Sequence, residues 1–167
     1  MKRNNLRKSL RVIRFLASGF GTGHLPYMPG TWGSLVAIPF AWLLAPFGWQ
    51  GMLIATVISF LLGWGLSNKL LLDSPEDTDP SYIVIDEIAG LLFTYCLVQL
   101  VKSELSSGAI ALGFLMFRLF DIWKPFPIGW VEIRLASSPR TSGLGIMVDD
   151  IIAAIPAAAL TILVLFF

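Results

Sequence analysis

The chain is 167 residues long, 56% hydrophobic and only 14% charged, where soluble domains carry about 25% charged residues. With a mean hydropathy of +0.76, it reads as one integral membrane domain, residues 1–167, and argues against a water-soluble fold. A net charge of +1 and the single Cys96 argue against a nucleic-acid binder and exclude an intrachain disulfide.

Half of the 12 basic residues stand in the first 14 positions, as Lys2, Arg3, Arg7, Lys8, Arg11 and Arg14. The following "FLASGFGTGHLPYMPGTWG" has no apolar core of signal-peptide type. Residues 1–20 therefore read as a basic cytoplasmic segment, with Arg7 to Phe20 as an amphipathic helix on the membrane surface. Next, "GFGTGHLPYMPGTWGS" places five glycines and two prolines in 16 residues, which predicts no regular helix. It lacks the Lys–Ser/Thr ending of a P-loop, though its glycines offer backbone N–H groups to an anion.

Apolar segments follow at about 34–47, 50–67, 83–101, 108–123 and 146–167. They are separated by Pro46 to Gly48, "DSPEDTDPS", "KSELSSG" and "KPFPIGWVEIRLASSPRTSGLG". Helices are the state in which such segments satisfy their own backbone in lipid. The expected fold is all-α: a polytopic membrane protein, a compact bundle of four or five short transmembrane helices with an N-terminal amphipathic helix. A full span takes about 20 residues, so the first segment, with Pro39 inside it, is expected to be re-entrant or kinked. Cys96, within "LLFTYCLVQLV", reads as core packing.

Three charged clusters interrupt the apolar pattern. Asp86 and Glu87 enter a helix in "DPSYIVIDEIAGLL"; capping by Asp79 or Ser81 and a favourable helix dipole explain one acid more easily than two. In "FRLFDIWKPFP", Arg118, Asp121 and Lys124 stand three apart, so neighbours meet on one helix face, and Pro125 ends that helix near Lys124. An internal Arg118–Asp121 pair and a snorkelling Lys124 are the structural alternatives to a phosphate site. Asp149 and Asp150 open the last segment about 100° apart, so one can bind while the other supports. Threaded from a cytoplasmic N-terminus, five crossings bring 73–79, Arg118 to Lys124, and Asp149 with Asp150 to one membrane face. Several carboxylates beside two cations suit Mg²⁺ and phosphate chemistry. Zinc does not suit them, since His24 is the one histidine. A small ion or proton transporter using the same acids and a soluble interaction domain remain as alternatives.

At these residues the chain resembles the phosphatidylglycerophosphatase A family, in "GTGHLPYMPGTWGSLVAIP", "DPSYIVIDEIAG", "FRLFDIWKPFPI" and "GLGIMVDDIIAA". The strings run from about Gly19 to Ala154 in the family's order. The resemblance implies a bacterial inner-membrane enzyme that hydrolyses phosphatidylglycerophosphate to phosphatidylglycerol and phosphate with Mg²⁺, its site facing the cytoplasm. It marks Pro29, Gly30, Thr31, Gly33 and Ser34; Asp86 and Glu87; Arg118, Asp121, Lys124 and Pro125; and Asp149 and Asp150. His24 lies outside the pattern. From their chemistry, Asp86, Glu87, Asp149 and Asp150 are expected as metal ligands or water activators. Arg118 and Lys124 would hold the phosphate, with Asp121 orienting Arg118 or joining the metal shell. Thr31, Ser34 and Gly30 would contribute from a "PGTWGS" loop closing over the headgroup.

Overall fold

The computed structural model describes residues 2–73, 80–136 and 142–166, and among them all regular structure is helical. The order is α1 (Lys2–Ala17), a 3₁₀ turn (Thr22–His24), α2 (Pro29–Leu44), a 3₁₀ turn (Ala45–Phe47), α3 (Gly48–Asp73), α4 (Ile85–Lys102), α5 (Ser107–Trp123), α6 (Ile128–Ala136) and α7 (Ser142–Phe166). The acidic loop 74–79, with the capping candidate Asp79, lies outside the described residues, as do residues 137–141 of the last breaker.

Two stretches are long and apolar enough to cross a membrane, Pro29–Asp73 and Gly143–Phe166. The α4 and α5 helices are shorter, and their apolar runs carry Asp86, Glu87 and Lys102, and Arg118 and Asp121. Much of the outer surface is apolar: Leu43 is 70% exposed, and Phe47, Ile54 and Leu62 are likewise open. Exposed apolar side chains on this scale suit a lipid surround.

The central helix is α4, where 11 of 18 residues are buried, so it meets neighbours on all sides. It packs on α3 and α7 most extensively, and on α2 and α5. Small residues permit the close approach: Ala37 and Ala41 of α2, and Ala153, Ala154, Ala157 and Ala158 of α7, are all buried. Tyr95 is fully buried, and its hydroxyl donates to the Ile110 carbonyl at 2.9 Å, tying α4 to α5. The Val84 N–H donates to the Ala17 carbonyl at 3.0 Å, so the end of α1 is fastened to the start of α4.

Two expectations are corrected. "PGTWGS" is not a loop: Pro29 opens α2, where a proline has no helical N–H bond to lose and its fixed φ suits the first turn. Pro39 lies inside the same helix without ending it. The breaker after Lys124 also contains α6, a nine-residue helix packed on α7. Its start is fixed by the Ile128 and Val131 N–H groups, which donate to the carbonyls of Pro125 and Pro127 at 2.8 and 3.0 Å. Elsewhere the boundaries shift by a few residues in either direction, most in α3, whose 26 residues run on to Asp73.

Candidate active site

The start of α4, the end of α5 and the start of α7 meet at one end of the bundle. Asp86 and Glu87 occupy the first turn of α4, behind a Val84 N-cap that offers no side-chain bond; neither acid is used as the cap. Carboxylate oxygens of Asp86, Glu87 and Asp150 lie within 4.8 Å of one another. The approach of α7 depends on Gly90, one turn further along α4. A Cβ there would stand 2.7 Å from the Phe117 ring of α5 and 3.0 Å from Cβ of Asp150. Nothing in the reading of the charges pointed to Gly90. A glycine in the middle of an apolar helix, which otherwise weakens it, was the available signal.

The adjacent aspartates of α7 separate as their 100° offset requires. Asp150 joins Asp86 and Glu87, while Asp149 accepts a hydrogen bond from Lys124 Nζ at 2.8 Å. Lys124 closes α5 in a left-handed conformation, φ 43°, which turns its side chain inward to Asp149 rather than out along the membrane surface. Asp149 is thus beside the three-carboxylate group and not one of its three members.

Arg118 binds the other flank. Its Nη1 donates to Asp121 Oδ2 and to Ser34 Oγ at 3.4 Å, and lies 3.7 Å from Glu87 Oε1. Asp121 is itself buried, and its carboxyl adjoins that of Asp150. The first turn of α2 covers this flank. Ser34 donates to the Gly30 carbonyl at 2.9 Å. A Cβ on Gly30 would overlap Glu87 Oε1 and stand 3.1 Å from Arg118 Nη1. Gly30, Thr31 and Ser34 therefore reach the group as a helix turn. His24 stands apart, stacked on Tyr82 at 5.3 Å.

Buried polar atoms without partners reveal what the site lacks. Asp86 Oδ1, Glu87 Oε2 and Asp150 Oδ2 have none, and neither do the donors Arg118 Nε and Thr31 Oγ1. Buried polar groups are almost always bonded, and desolvated carboxylates are costly unless paired or metal-bound. Three hard oxygens converging in this way fit a divalent cation.

Fold and site define an all-helical protein with membrane-capable helices and a partly buried carboxylate group suited to a divalent metal ion. More specifically, the chain belongs to the phosphatidylglycerophosphatase A family, whose model matches residues 15–165. It is 37% identical over 145 residues to "Phosphatidylglycerophosphatase A" of Escherichia coli (strain K12), covering 87% of this chain and 78% of the relative. It is 39% identical over 161 residues to the protein of the same name from Haemophilus influenzae, covering 94% and 93%. A "Putative phosphatidylinositol-3-phosphatase" of Bacteroides thetaiotaomicron is 30% identical over 150 residues, covering 84% and 85%. No solved structure matches the chain.

Proposed function

We propose that the protein hydrolyses the terminal phosphate of phosphatidylglycerophosphate, releasing phosphatidylglycerol and inorganic phosphate with Mg²⁺ as cofactor. The observation that carries this is the pairing of buried orphans of both kinds. Acceptors on Asp86, Glu87 and Asp150 call for a cation, and donors on Arg118 and Thr31 call for an anion. A metal-bound phosphate monoester supplies both.

Asp86, Glu87 and Asp150 would hold the ion. When bound, Mg²⁺ neutralises phosphoryl oxygens and lowers the pKa of a coordinated water. Arg118 directs Nε and its remaining N–H groups to the phosphoryl oxygens, while Asp121 and Ser34 fix its plane. Lys124, held by Asp149, adds a second cation at the rim. A carboxylate oxygen of the group takes a proton from the attacking water as its oxygen bonds to phosphorus. The bond from phosphorus to the glycerol oxygen breaks, and that oxygen takes a proton from solvent. The Arg118 and Lys124 charges weigh against the cation-transporter alternative, because they would repel a passing ion.

In the membrane, α2, α4 and α5 would span about 24, 27 and 26 Å at 1.5 Å per residue, close to the ~30 Å hydrocarbon core. With α3 and α7 they would make five crossings, and the basic α1 supports a site at the cytoplasmic leaflet. The Bacteroides relative's name favours a second substrate reading, a lipid with a phosphorylated inositol headgroup. Phosphate release from purified protein, given each lipid with and without Mg²⁺, tests the proposal. Mg²⁺-dependent release from phosphatidylglycerophosphate at the higher kcat/KM is expected; release only from the inositol lipid would overturn the substrate assignment.

A further inference from the structure

On the far side of α4 from the carboxylates lie two adjoining cavities of opposite character. The first, about 360 Å³, is lined by Arg11, Arg14 and Ser18 at the end of α1, by His24, and by Asp73 at the end of α3. The Arg14 guanidinium lies 5.3 Å from the centre of the Tyr82 ring, and His24 stacks on that ring, so one aromatic side chain positions both. Among the described residues, two arginines face one aspartate in this cavity. The second, about 450 Å³, is an apolar groove between α2 and α3, with Phe40 and Leu43 on one wall and Ala55, Ile58, Leu62 and Leu66 on the other.

These cavities meet at an aromatic pair. Phe15 lines the first and Phe20 the second, with ring centres 5.9 Å apart and edge to face; Phe20 also stacks on Phe40 at 6.4 Å. The helix α3 runs past both. From Ala55 to Leu66 the groove follows 11 residues, about 16 Å, which is half of the ~30 Å bilayer core. Asp73 stands seven residues beyond Leu66, about 10 Å, at headgroup depth. The floor of the groove is Ile85, Ile88 and Leu92, whereas Asp86 lies with Asp150 of α7, Gly90 packs on Phe117 and Asp150, and Glu87 meets Arg118 of α5 and Gly30 at the start of α2. Packing of Gly33 on Val84 closes the space between groove and carboxylates.

We propose that this is a second lipid site: an anionic glycerophospholipid of the same leaflet places its headgroup phosphate at Arg11, Arg14 and His24 and one acyl chain in the α2–α3 groove. The cationic end selects charge and the groove, one leaflet deep, selects a chain, so neither a soluble anion nor a neutral lipid satisfies both. The site stands whether or not the carboxylate group is a phosphatase.

Native mass spectrometry of the full-length protein in detergent, titrated with dioleoyl phosphatidylserine or dioleoyl phosphatidylcholine, tests it. The two lipids share their chains, and neither is substrate nor product of the proposed reaction. At about fivefold in affinity for each arginine near a lipid headgroup, phosphatidylserine is expected to bind about thirtyfold more tightly. The double variant Arg11→Gln with Arg14→Gln removes that preference. Ala55→Trp fills the groove and weakens both lipids by about tenfold or more; Leu62→Trp at its edge does the same should Ala55→Trp fail to fold. Val57→Trp, on the exposed face of α3 outside the groove, leaves both unchanged. Equal affinities in the unmodified protein, or a preference that survives the double arginine change, would overturn the proposal. So would displacement of phosphatidylserine by inorganic phosphate together with indifference to both groove variants, which would indicate a bare anion pocket.

Discussion

Removing Arg118 separates a structural role from a chemical one. The guanidinium is 13% exposed and holds Asp121, 11% exposed, while also reaching Ser34 and Glu87. Arg118→Ala alone strands a buried carboxylate, a loss of about 3–5 kcal/mol in stability, so its inactivity would prove little. Replacing both members, Arg118→Leu with Asp121→Leu, removes one charge of each sign and fills the space with apolar groups. A buried pair exchanged in this way is often neutral or stabilising. The double variant is therefore expected to melt within a few degrees of the parent. Its turnover should nevertheless fall by about 10²–10³, the usual effect of deleting a donor aimed at transition-state charge. Thermal melting and phosphate release from phosphatidylglycerophosphate, measured on one detergent preparation, give both readouts. A folded double variant with near-normal turnover would show that Arg118 merely neutralises Asp121, and would remove it from the phosphate site.

Gly30→Ala places a methyl group against Glu87 Oε1 and beside Arg118, so divalent-ion affinity and turnover should both fall at least tenfold; unchanged ion binding would show that the first turn of α2 does not abut the site. Asp150→Asn removes one of three converging oxygens and should weaken Mn²⁺ binding, read by electron paramagnetic resonance, far more than Asp149→Asn does. Equal effects would mean that both α7 aspartates ligate the ion. Cys96→Ser should leave turnover nearly intact, since the buried Cys96 thiol is bonded to the Trp49 carbonyl at 3.4 Å rather than to a basic group that would form a thiolate; a hundredfold loss in a folded variant would point to cysteine chemistry.

The charged residues of the site were legible because charge inside an apolar run is expensive, and Asp86, Glu87, Arg118, Asp121, Asp149 and Asp150 stand out against it. Helical spacing also showed that Asp149 and Asp150 must diverge. Which of them turns inward was not legible, because the answer depends on how closely α7 approaches Gly90 and on the left-handed turn at Lys124. The first turn of α2 was misread for a related reason. Its prolines and glycines signal a loop in isolation, but Pro29 is compatible with a helix start, and Gly30 and Gly33 are needed where Glu87, Arg118 and Val84 press against them. The short α6 was hidden between prolines and a Ser/Gly-rich stretch, with too few residues for a periodicity to show. The two longest apolar stretches were evident from composition, whereas Lys102 and the site charges obscure the apolar character of α4 and α5.

The central claim joins a carboxylate-held cation to lipid phosphate hydrolysis, and one titration tests that link. Chelator-stripped protein is titrated with Mg²⁺ while ion binding and phosphate release from phosphatidylglycerophosphate are followed together. The account predicts no turnover without the ion, binding and turnover rising on one curve, and both midpoints moving to higher Mg²⁺ in Asp150→Asn. Full turnover of the stripped protein, or saturation of turnover while Asp150→Asn binds Mg²⁺ as the parent does, would contradict it.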